Sequence, residues 1–312
     1  MRRYAQHFVA IVLSAGLSHA QTDVATTRIE VSHISGNVYM LTKRRPITYR
    51  GQSIEWTGNI CASVGPEGIL LVDNGLAHAA DSINAALQNI GQGAIRTIVN
   101  THRHSDHTGA NHVLGTRIPI IAHENTRKEM MTEKSYPNGY TIPAAPGEAL
   151  PTITFTDSLS VHFNGEKVTL LYFPHGHTEG DIVVYFTGSN VLYMGDTYNG
   201  HFFPRVVGDV KAYAENYRRL IHRLPQDVSI LSGHRPAASL EDMKVFQSML
   251  SETISAIQEQ MSAGKKLDAI KAQGLPERWQ WWGREDVINA LTEEEWIEVV
   301  HHSLSNHSVR EK

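Results

Sequence analysis

Cysteine is almost absent from this chain of 312 residues, which contains only Cys61. A single cysteine cannot form an intramolecular disulfide, so no covalent bridge within the chain supports the fold. Cys61 lies in the apolar run Ile60 to Val64, where it is expected to act as a small buried hydrophobic residue. The chain is long enough to bury a substantial core without such bridges.

An excess of positive charge is also missing. The formal net charge is −4, with 28 Lys and Arg against 32 Asp and Glu, and the basic residues do not cluster. Such a chain is a poor candidate for nucleic-acid binding. Internal repeats, low-complexity segments and a linker between independent domains are lacking too. We therefore expect a small molecule rather than a nucleic acid as the partner, while the sequence says nothing about oligomeric state.

A hydrophobic run long enough to span a bilayer is not found near the N-terminus. Arg2 and Arg3 are followed by the apolar stretch Phe8 to Leu17 and by the small-residue site Ser18-His19-Ala20. This pattern predicts a secretory signal peptide over residues 1–20, cleaved after Ala20. No cysteine follows that site, which argues against lipid anchoring. The mature protein is expected to be secreted, into the bacterial periplasm, without a membrane attachment.

Histidine, by contrast, is plentiful, with 18 residues, several of them in tight clusters. The densest cluster lies within Thr101–Gly109, directly after the apolar run Ile95–Val99, which is typical of a short buried strand. The strand would deliver four potential metal ligands to one place: His102, His104, Asp106 and His107. Imidazole and carboxylate together suit Zn²⁺, with Fe and Mn as alternatives.

Predicted strands and helices alternate along the chain, which indicates a layered α/β body. Helices are predicted at about 77–90, 124–131, 210–224 and 240–264, with a Trp-rich helical region up to about residue 304. Two segments are expected to be long loops that cover the site, Lys43–Gly58 and Ser135–Pro151. Arg44, Arg45 and Arg50 in the first segment suggest either an anionic substrate or ordinary solvated charge.

Four further apolar runs each end in a potential ligand. Glycine stands directly before three of these residues, and glycine lets the backbone turn sharply close to a small site. These three are His177, Asp196 and His234, and the fourth run ends in Asp73. Strands that all end in metal-binding side chains point to one shared site at one edge of the sheets.

In this order, the His102-x-His104-x-Asp106-His107 motif and the turns at His177, Asp196 and His234 resemble the metallo-β-lactamase superfamily. The resemblance implies a four-layer αββα sandwich with a dinuclear metal centre, nominally two Zn²⁺ per chain. It assigns His102, His104 and His177 to one ion and Asp106, His107 and His234 to the other. Asp196 would bridge the two ions, as in the glyoxalase II-like branch, and Asp73 would support the ligands from behind.

The chain also departs from parts of that superfamily. Asp196 stands where the cysteine-containing zinc β-lactamases have a cysteine, and Arg235 replaces the usual glycine after the last histidine. The C-terminal part resembles the helical tail of a secreted subgroup. We therefore expect a hydrolase domain over residues 21–264 and a helical extension over 265–312 that packs on it.

The chemistry that the resemblance implies is hydrolysis by a metal-bridging hydroxide that Asp106 helps to orient. The substrate would be a small ester, thioester, lactone or amide, with β-lactams included. Trp56, Tyr198 and His201 are the candidate substrate-binding residues, the last two as proton donors from the site wall.

Three alternatives remain at this point. An iron-dependent oxidoreductase of the persulfide dioxygenase type shares the fold but uses a mononuclear site. A metal-binding protein without turnover would be expected to lack Asp106 or His234, and both are present. Nuclease branches rank last, because they need basic surfaces that an acidic secreted chain lacks.

Overall fold

Two large β-sheets, one small two-stranded sheet and the helices outside them make up the described part of the protein. The structure is a computed structural model and describes residues 28–49, 52–91, 93–135, 141–283 and 290–310, without the side chains of residues 49, 52 and 307–310. The strands are β1 (Arg28–Ser35), β2 (Val38–Tyr49), β3 (Gln52–Gly65), β4 (Gly68–Val72), β5 (Ile95–Val99), β6 (Ile120–His123), β7 (Lys134–Ser135), β8 (Thr141–Ile142), β9 (Ile153–Phe155), β10 (Ser158–Phe163), β11 (Glu166–Tyr172), β12 (Ile182–Phe186), β13 (Val191–Tyr193) and β14 (Ser229–Leu231).

The helices alternate with these strands in the first half of the chain and dominate its end. They are α1 (Ala80–Ile90), α2 (Ser105–Thr108), α3 (Asn111–Leu114), α4 (Glu124–Met130), α5 (Val210–Ile221), α6 (Leu240–Ser262), α7 (Leu267–Gln273), α8 (Glu277–Gln280) and α9 (Glu293–Arg310). No helix in the described ranges is both long and apolar enough to cross a membrane.

The first sheet has the order β1-β2-β3-β4-β5-β6-β9, and the second has the order β10-β11-β12-β13-β14. The strands from β1 to β4 pair antiparallel, whereas β4, β5, β6 and β9 run parallel to one another. In the second sheet, only β13 and β14 pair in parallel. Because β5 and β6 are parallel neighbours of β4, their carboxyl ends lie at the same edge of the first sheet.

Side-chain alternation explains why the two sheets stack. In β4, Leu70 and Val72 enter the core between the sheets, whereas Ile69 and Leu71 pack on the side of α1. Successive side chains of a strand point to opposite faces, so a strand covered on both sides becomes apolar throughout. The second sheet is covered on its outer face by α5 and α6, through residues such as Tyr213. The layers are therefore helix, sheet, sheet and helix, as predicted.

The segment Lys43–Gly58, expected to be a loop, instead continues two strands. β2 and β3 pair without interruption from Val38 opposite Ser63 to Tyr49 opposite Gln52. The prediction was wrong because polar side chains on one face of a long hairpin resemble those of a loop in the sequence. In the other expected loop, β7 pairs with β8, and residues 136–140 lie outside the described part.

The C-terminal helices lie against α5 and α6. Trp296 of α9 is fully buried, stacks on Phe203 with ring centroids 5.8 Å apart, and donates from Nε1 to Thr253 Oγ1 at 3.0 Å. Trp282 is fully buried as well, whereas Trp281 is 57% exposed. Aromatic side chains of this size dominate the energetics of the cores that they enter.

Candidate metal centre

Loops that follow strand ends bring seven potential ligands together. His102 and His104 follow β5, and the short helix α2 carries Asp106 and His107. The remaining three come from the second half of the chain, after β11, β13 and β14: His177, Asp196 and His234. The strand ends of both sheets meet at this edge, which is how residues far apart in sequence become neighbours.

The first group of ligand atoms comprises His102, His104, His177 and Asp196, and these atoms all lie within 4.8 Å of one another. His104 Nδ1 is 3.1 Å from His102 Nε2 and 3.0 Å from His177 Nε2. Three imidazole nitrogens that converge in this way are the arrangement that a zinc ion requires.

The second group comprises Asp106, His107 and His234, again within 4.8 Å of one another. Asp106 Oδ2 lies 3.1 Å from His234 Nε2, and the Nε2 atoms of His107 and His234 are 3.4 Å apart. The structure thus brings together the two sets that the sequence resemblance implied, each within the reach of one ion.

Asp196 lies between the two groups. Its Oδ2 is 3.7 Å from His177 Nε2 and 3.2 Å from His234 Nε2, while its Oδ1 is 3.2 Å from His107 Nε2. Oδ1 is buried and accepts no hydrogen bond from the described residues. A buried carboxylate oxygen without a donor is costly unless something else satisfies it. Together with five imidazoles and a second carboxylate, it fits metal ions that prefer nitrogen and oxygen ligands.

Burial and neighbouring charge set the protonation states of the metal-free site. Burial lowers the pKa of His102 and His104 well below 6.5, so both rings are neutral and carry free lone pairs. Burial alone would raise the pKa of Asp106 and Asp196, but the nearby rings of His107 and His234 hold both pKa values well below 3.8. Neutral imidazole and ionised carboxylate are the forms that bind metal.

Asp73 supports both groups from beneath. The residue has a φ of 61°, is fully buried, and accepts hydrogen bonds from Thr101 N at 2.8 Å and Thr101 Oγ1 at 2.7 Å. His107 Nδ1 donates to Asp73 Oδ2 at 2.7 Å, and His102 Nδ1 lies 3.1 Å from Thr101 Oγ1. These contacts direct the Nε2 atoms of both histidines toward the site, which is the supporting role expected of Asp73.

Two residues that support the ligands were not predicted from the sequence. Asp181 Oδ2 accepts from Thr178 N at 2.7 Å, and its Oδ1 accepts from Thr178 Oγ1 at 2.9 Å, which shapes the turn after His177. Asp181 belongs to the same histidine-bearing segment, and that proximity was the available signal. Thr57 O accepts from His234 Nδ1 at 2.7 Å, a contact that depends on the long hairpin and could not be predicted from a loop.

Lys43 is a third residue that the sequence analysis missed. Its side chain is buried near the second ligand group, and Nζ donates to the backbone carbonyl of Asp106 at 3.2 Å. Burial lowers its pKa to about 8, although the carboxylates of Asp106 and Asp73 act in the opposite direction.

The three predicted substrate-binding residues lie in different surroundings. The Trp56 ring is half-buried, with its centroid 5.6 Å from that of His234. Tyr198 borders the cavity at the site, but its ring packs on Phe246 in the core. His201 is exposed and lies against Trp281 and Trp282, so it is not among the cavity-lining residues. The expectation of a proton donor at the site wall is thus corrected for His201.

The cavity next to the ligands has a cationic wall, but its arginines are not the ones that the sequence suggested. Arg44 is partly exposed and pairs with Glu30 at 3.0 Å and Glu55 at 2.9 Å, Arg45 lies 5.2 Å over Trp56, and Arg50 is outside the described residues. The cavity is instead lined by His177, Asp196, Tyr198, Asn199, Arg205, Ser232, His234 and Arg235. The two arginines of this lining come from segments that only the tertiary fold brings together.

Sequence comparison identifies the class of protein that this fold and site define. The profile of the Metallo-beta-lactamase superfamily matches residues 59–234, more than half of the chain, and the chain belongs to this superfamily. The matched region includes all seven ligands and ends at His234.

Among individual proteins, the chain is similar to the hydroxyacylglutathione hydrolase of Thermosynechococcus vestitus, with 27% identity over 154 residues that cover 49% of this chain and 54% of that protein. The probable metallo-hydrolase YybB of Bacillus subtilis is 31% identical over 135 residues, or 42% of this chain and 58% of that protein. The chain thus spans little more than half the length of these relatives. Since hydroxyacylglutathione hydrolase is glyoxalase II, the predicted likeness to that branch is confirmed.

Solved structures agree on the fold. A metallo-beta-lactamase from Pontibacter korlensis superimposes with a TM-score of 0.57 at 19% identity, over 72% of this chain and 99% of that protein. At this identity the likeness concerns the fold alone, and it confirms the predicted sandwich.

Proposed function

We propose that this protein is a secreted dinuclear zinc hydrolase that cleaves a small ester, thioester, lactone or amide. One observation carries the proposal: Asp196 reaches both ligand groups, with Oδ2 3.2 Å from His234 Nε2 and 3.7 Å from His177 Nε2. A carboxylate in that position is suited to link two ions. The relatives named above are hydrolases by name, which supports the same class of activity.

Zinc is the proposed metal because the donors are imidazole and carboxylate, with Fe and Mn as alternatives for the same donors. When bound, two such ions supply a hydroxide nucleophile near neutral pH, since each lowers the pKa of bound water, and they polarise the bond under attack. The protein's part is to hold five imidazoles and two ionised carboxylates at fixed positions, with His102 and His104 kept neutral by burial.

Asp106 is the proposed catalytic residue. Its side chain is 24% exposed, against 10% for Asp196, so its carboxylate is the one that solvent and substrate reach more readily. His234 Nε2, 3.1 Å away, fixes the orientation of Oδ2. The carboxylate can therefore accept a hydrogen bond from the attacking water and hold it toward the substrate.

The substrate is proposed to carry a negative charge close to the bond that breaks. Arg205 and Arg235 line the same cavity as Asp196 and His234, and Arg235 is held by Asn199 Oδ1 at 3.0 Å and by the Phe202 ring at 4.4 Å. A planar guanidinium fixed in this way suits a carboxylate. A relative named for hydrolysis of an acylated glutathione favours a thioester among the four substrate classes.

A metal analysis and a substrate panel test the proposal together. The protein lacking residues 1–20 would be purified, loaded with Zn²⁺, Fe²⁺ or Mn²⁺, and assayed with thioester, lactone, cephalosporin and phosphodiester substrates. We expect two zinc ions per chain and turnover of a thioester or lactone. A single iron per chain with no hydrolysis would support a persulfide dioxygenase-like oxidoreductase instead. Failure to cleave a chromogenic cephalosporin with zinc supplied would exclude β-lactamase activity.

Secretion is a separate part of the proposal, and the signal peptide over residues 1–20 lies outside the described residues. It is supported by the charged start, the short apolar run and the small-residue site in the sequence. We expect the protein recovered from the periplasm of a bacterial host to begin at Gln21. An N-terminus at Met1 on the cytoplasmic protein would contradict this part alone.

A further inference from the structure

Two glycines leave room for a buried lysine next to the ligands. Lys43 is 2% exposed. A Cβ added to Gly75 would lie 2.5 Å from Lys43 Nζ, and one added to Gly58 would lie 3.1 Å from Nζ. Gly75 also has a φ of 71°, but Gly58 has no such backbone requirement. Its lack of a side chain therefore has a spatial reason: an added Cβ would lie 2.7 Å from Trp56 Cη2 and 3.1 Å from the lysine Cε and Nζ, so Gly58 leaves room for both side chains.

The remaining contacts of Lys43 point toward the second ligand group. Nζ donates to the backbone carbonyl of Asp106 at 3.2 Å and lies 5.4 Å from the centroid of the Trp56 ring. The carboxylates of Asp106, Asp73 and Asp196 act on its charge. Burying an ammonium is energetically unfavourable, and a methionine of similar length would fill the same space without that cost. The cation is retained at a place where its hydrogen bond holds the backbone of Asp106, one of the potential metal ligands.

We infer that Lys43 is a positioning residue for hydrolysis: its ammonium, enclosed by Gly58, Gly75 and Trp56, fastens the Asp106 backbone so that the carboxylate keeps its orientation. The inference rests on the proposed function in one respect, that Asp106 orients the attacking water. Lys43 is not among the residues that line the cavity beside the ligands. Its effect passes through Asp106, whose side chain is more exposed than that of Asp196, the other carboxylate in the ligand set.

Lys43→Met tests this role, because methionine preserves the length of the stem and removes the donor. We expect kcat to fall about tenfold, the worth of roughly one hydrogen bond at the transition state, while KM stays within about twofold. The visible spectrum of the Co²⁺-loaded protein should also change, since a displaced Asp106 alters the ligand field. Arg44→Met is the matched control: the neighbouring residue is partly exposed and paired with Glu30 and Glu55, and both readouts should match the parent protein.

The outcomes separate this inference from the proposed function. An unchanged kcat and an unchanged Co²⁺ spectrum in Lys43→Met would overturn it, as would a rise in KM alone. If the parent protein hydrolyses none of the substrates, the spectrum still decides, because it requires metal but no turnover. If Lys43→Met does not fold, Lys43→Leu takes its place, since leucine also removes the donor and keeps an apolar side chain. A folded Lys43→Leu protein with the parent spectrum and kcat would equally refute the role.

Discussion

Asp73 Oδ2 accepts a hydrogen bond from His107 Nδ1 at 2.7 Å, with both side chains fully buried. The same carboxylate accepts from Thr101 Oγ1, whose oxygen lies 3.1 Å from His102 Nδ1. One residue that binds no metal itself therefore orients a ligand in each of the two groups.

Replacing Asp73 with Asn should weaken metal binding by about 10- to 100-fold, because an amide has one acceptor oxygen: with that oxygen facing His107 Nδ1 and Thr101 Oγ1, its NH₂ would face Thr101 N, which also donates. Competition with a chelator of known affinity measures the effect. Asp81→Asn on the exposed face of α1 is the control and should leave the affinity unchanged. An Asp73→Asn protein that holds metal as tightly as the parent would contradict the supporting role.

Removal of a ligand tests the site more directly. His102→Ala should abolish metal-dependent turnover and lower the zinc content, because it takes one of three imidazoles from the first group. His162→Ala, on the exposed side of β10, should affect neither quantity. Full activity of His102→Ala at the parent metal content would refute the proposed site.

Stability of the metal-free protein should fall between about pH 6.5 and pH 9. Burial opposes the charged ring of His234, but the carboxylates of Asp196 and Asp106 outweigh it and raise the pKa of His234 from 6.5 to about 9. A group whose pKa is raised on folding stabilises fully below its unfolded value, and this contribution disappears as the pH passes the folded value. Urea unfolding of chelator-treated protein at the two pH values measures the loss, which should be smaller in His234→Asn.

Zinc affinity should depend on pH in the opposite direction to the stability of the metal-free protein. Protons compete with metal for the histidines, so zinc affinity should rise over the same pH range in which the metal-free protein loses stability. A zinc affinity that falls toward pH 9 would show that these histidines are not the ligands.

The cationic wall of the cavity predicts charge selectivity. Arg235→Gln should raise KM for S-acetylmercaptoacetate by about tenfold, the scale of one charge-assisted hydrogen bond, and should leave KM for the corresponding neutral amide nearly unchanged. Release of the free thiol measures both reactions. Equal effects on the two substrates would remove Arg235 from substrate recognition and leave it a structural residue.

The C-terminal helices should contribute to stability through their buried tryptophans. Trp296→Ala is expected to lower the free energy of unfolding by about 3–5 kcal/mol, because it leaves a cavity beside Phe203 and removes the partner of Thr253. Trp281→Ala, at a side chain that is 57% exposed, should cost far less. Denaturant unfolding compares them, and equal losses would mean that the extension does not pack on residues 21–264 as proposed.

Much of the site could be predicted from the sequence because each ligand stands at the end of an apolar run. Runs such as Val191–Met194 are buried on both faces and so carry few polar residues, and the polar residues after them stand out. The resemblance that these motifs carry then implied which residues share an ion and the supporting role of Asp73. The layers of the fold also followed, because strands and helices alternate clearly.

The surroundings of the site could not be predicted in this way. The hairpin of β2 and β3 has polar side chains on one face, and only its pairing across the sheet shows that Lys43 points inward to Asp106. Likewise, nothing local distinguishes Arg235 on the cavity wall from Arg44 in exposed ion pairs.

The sequence by itself therefore determined the candidate ligands, because metal-binding side chains and glycine turns after buried strands form a local pattern. The tertiary structure decided what surrounds them: which lysine is buried beneath Asp106, which backbone carbonyl accepts from His234, and which arginines face the cavity. Those relations join residues far apart in the chain, 63 positions for Lys43 and Asp106 and 177 positions for Thr57 and His234, and they depend on the stacking of two sheets rather than on any local preference of the chain.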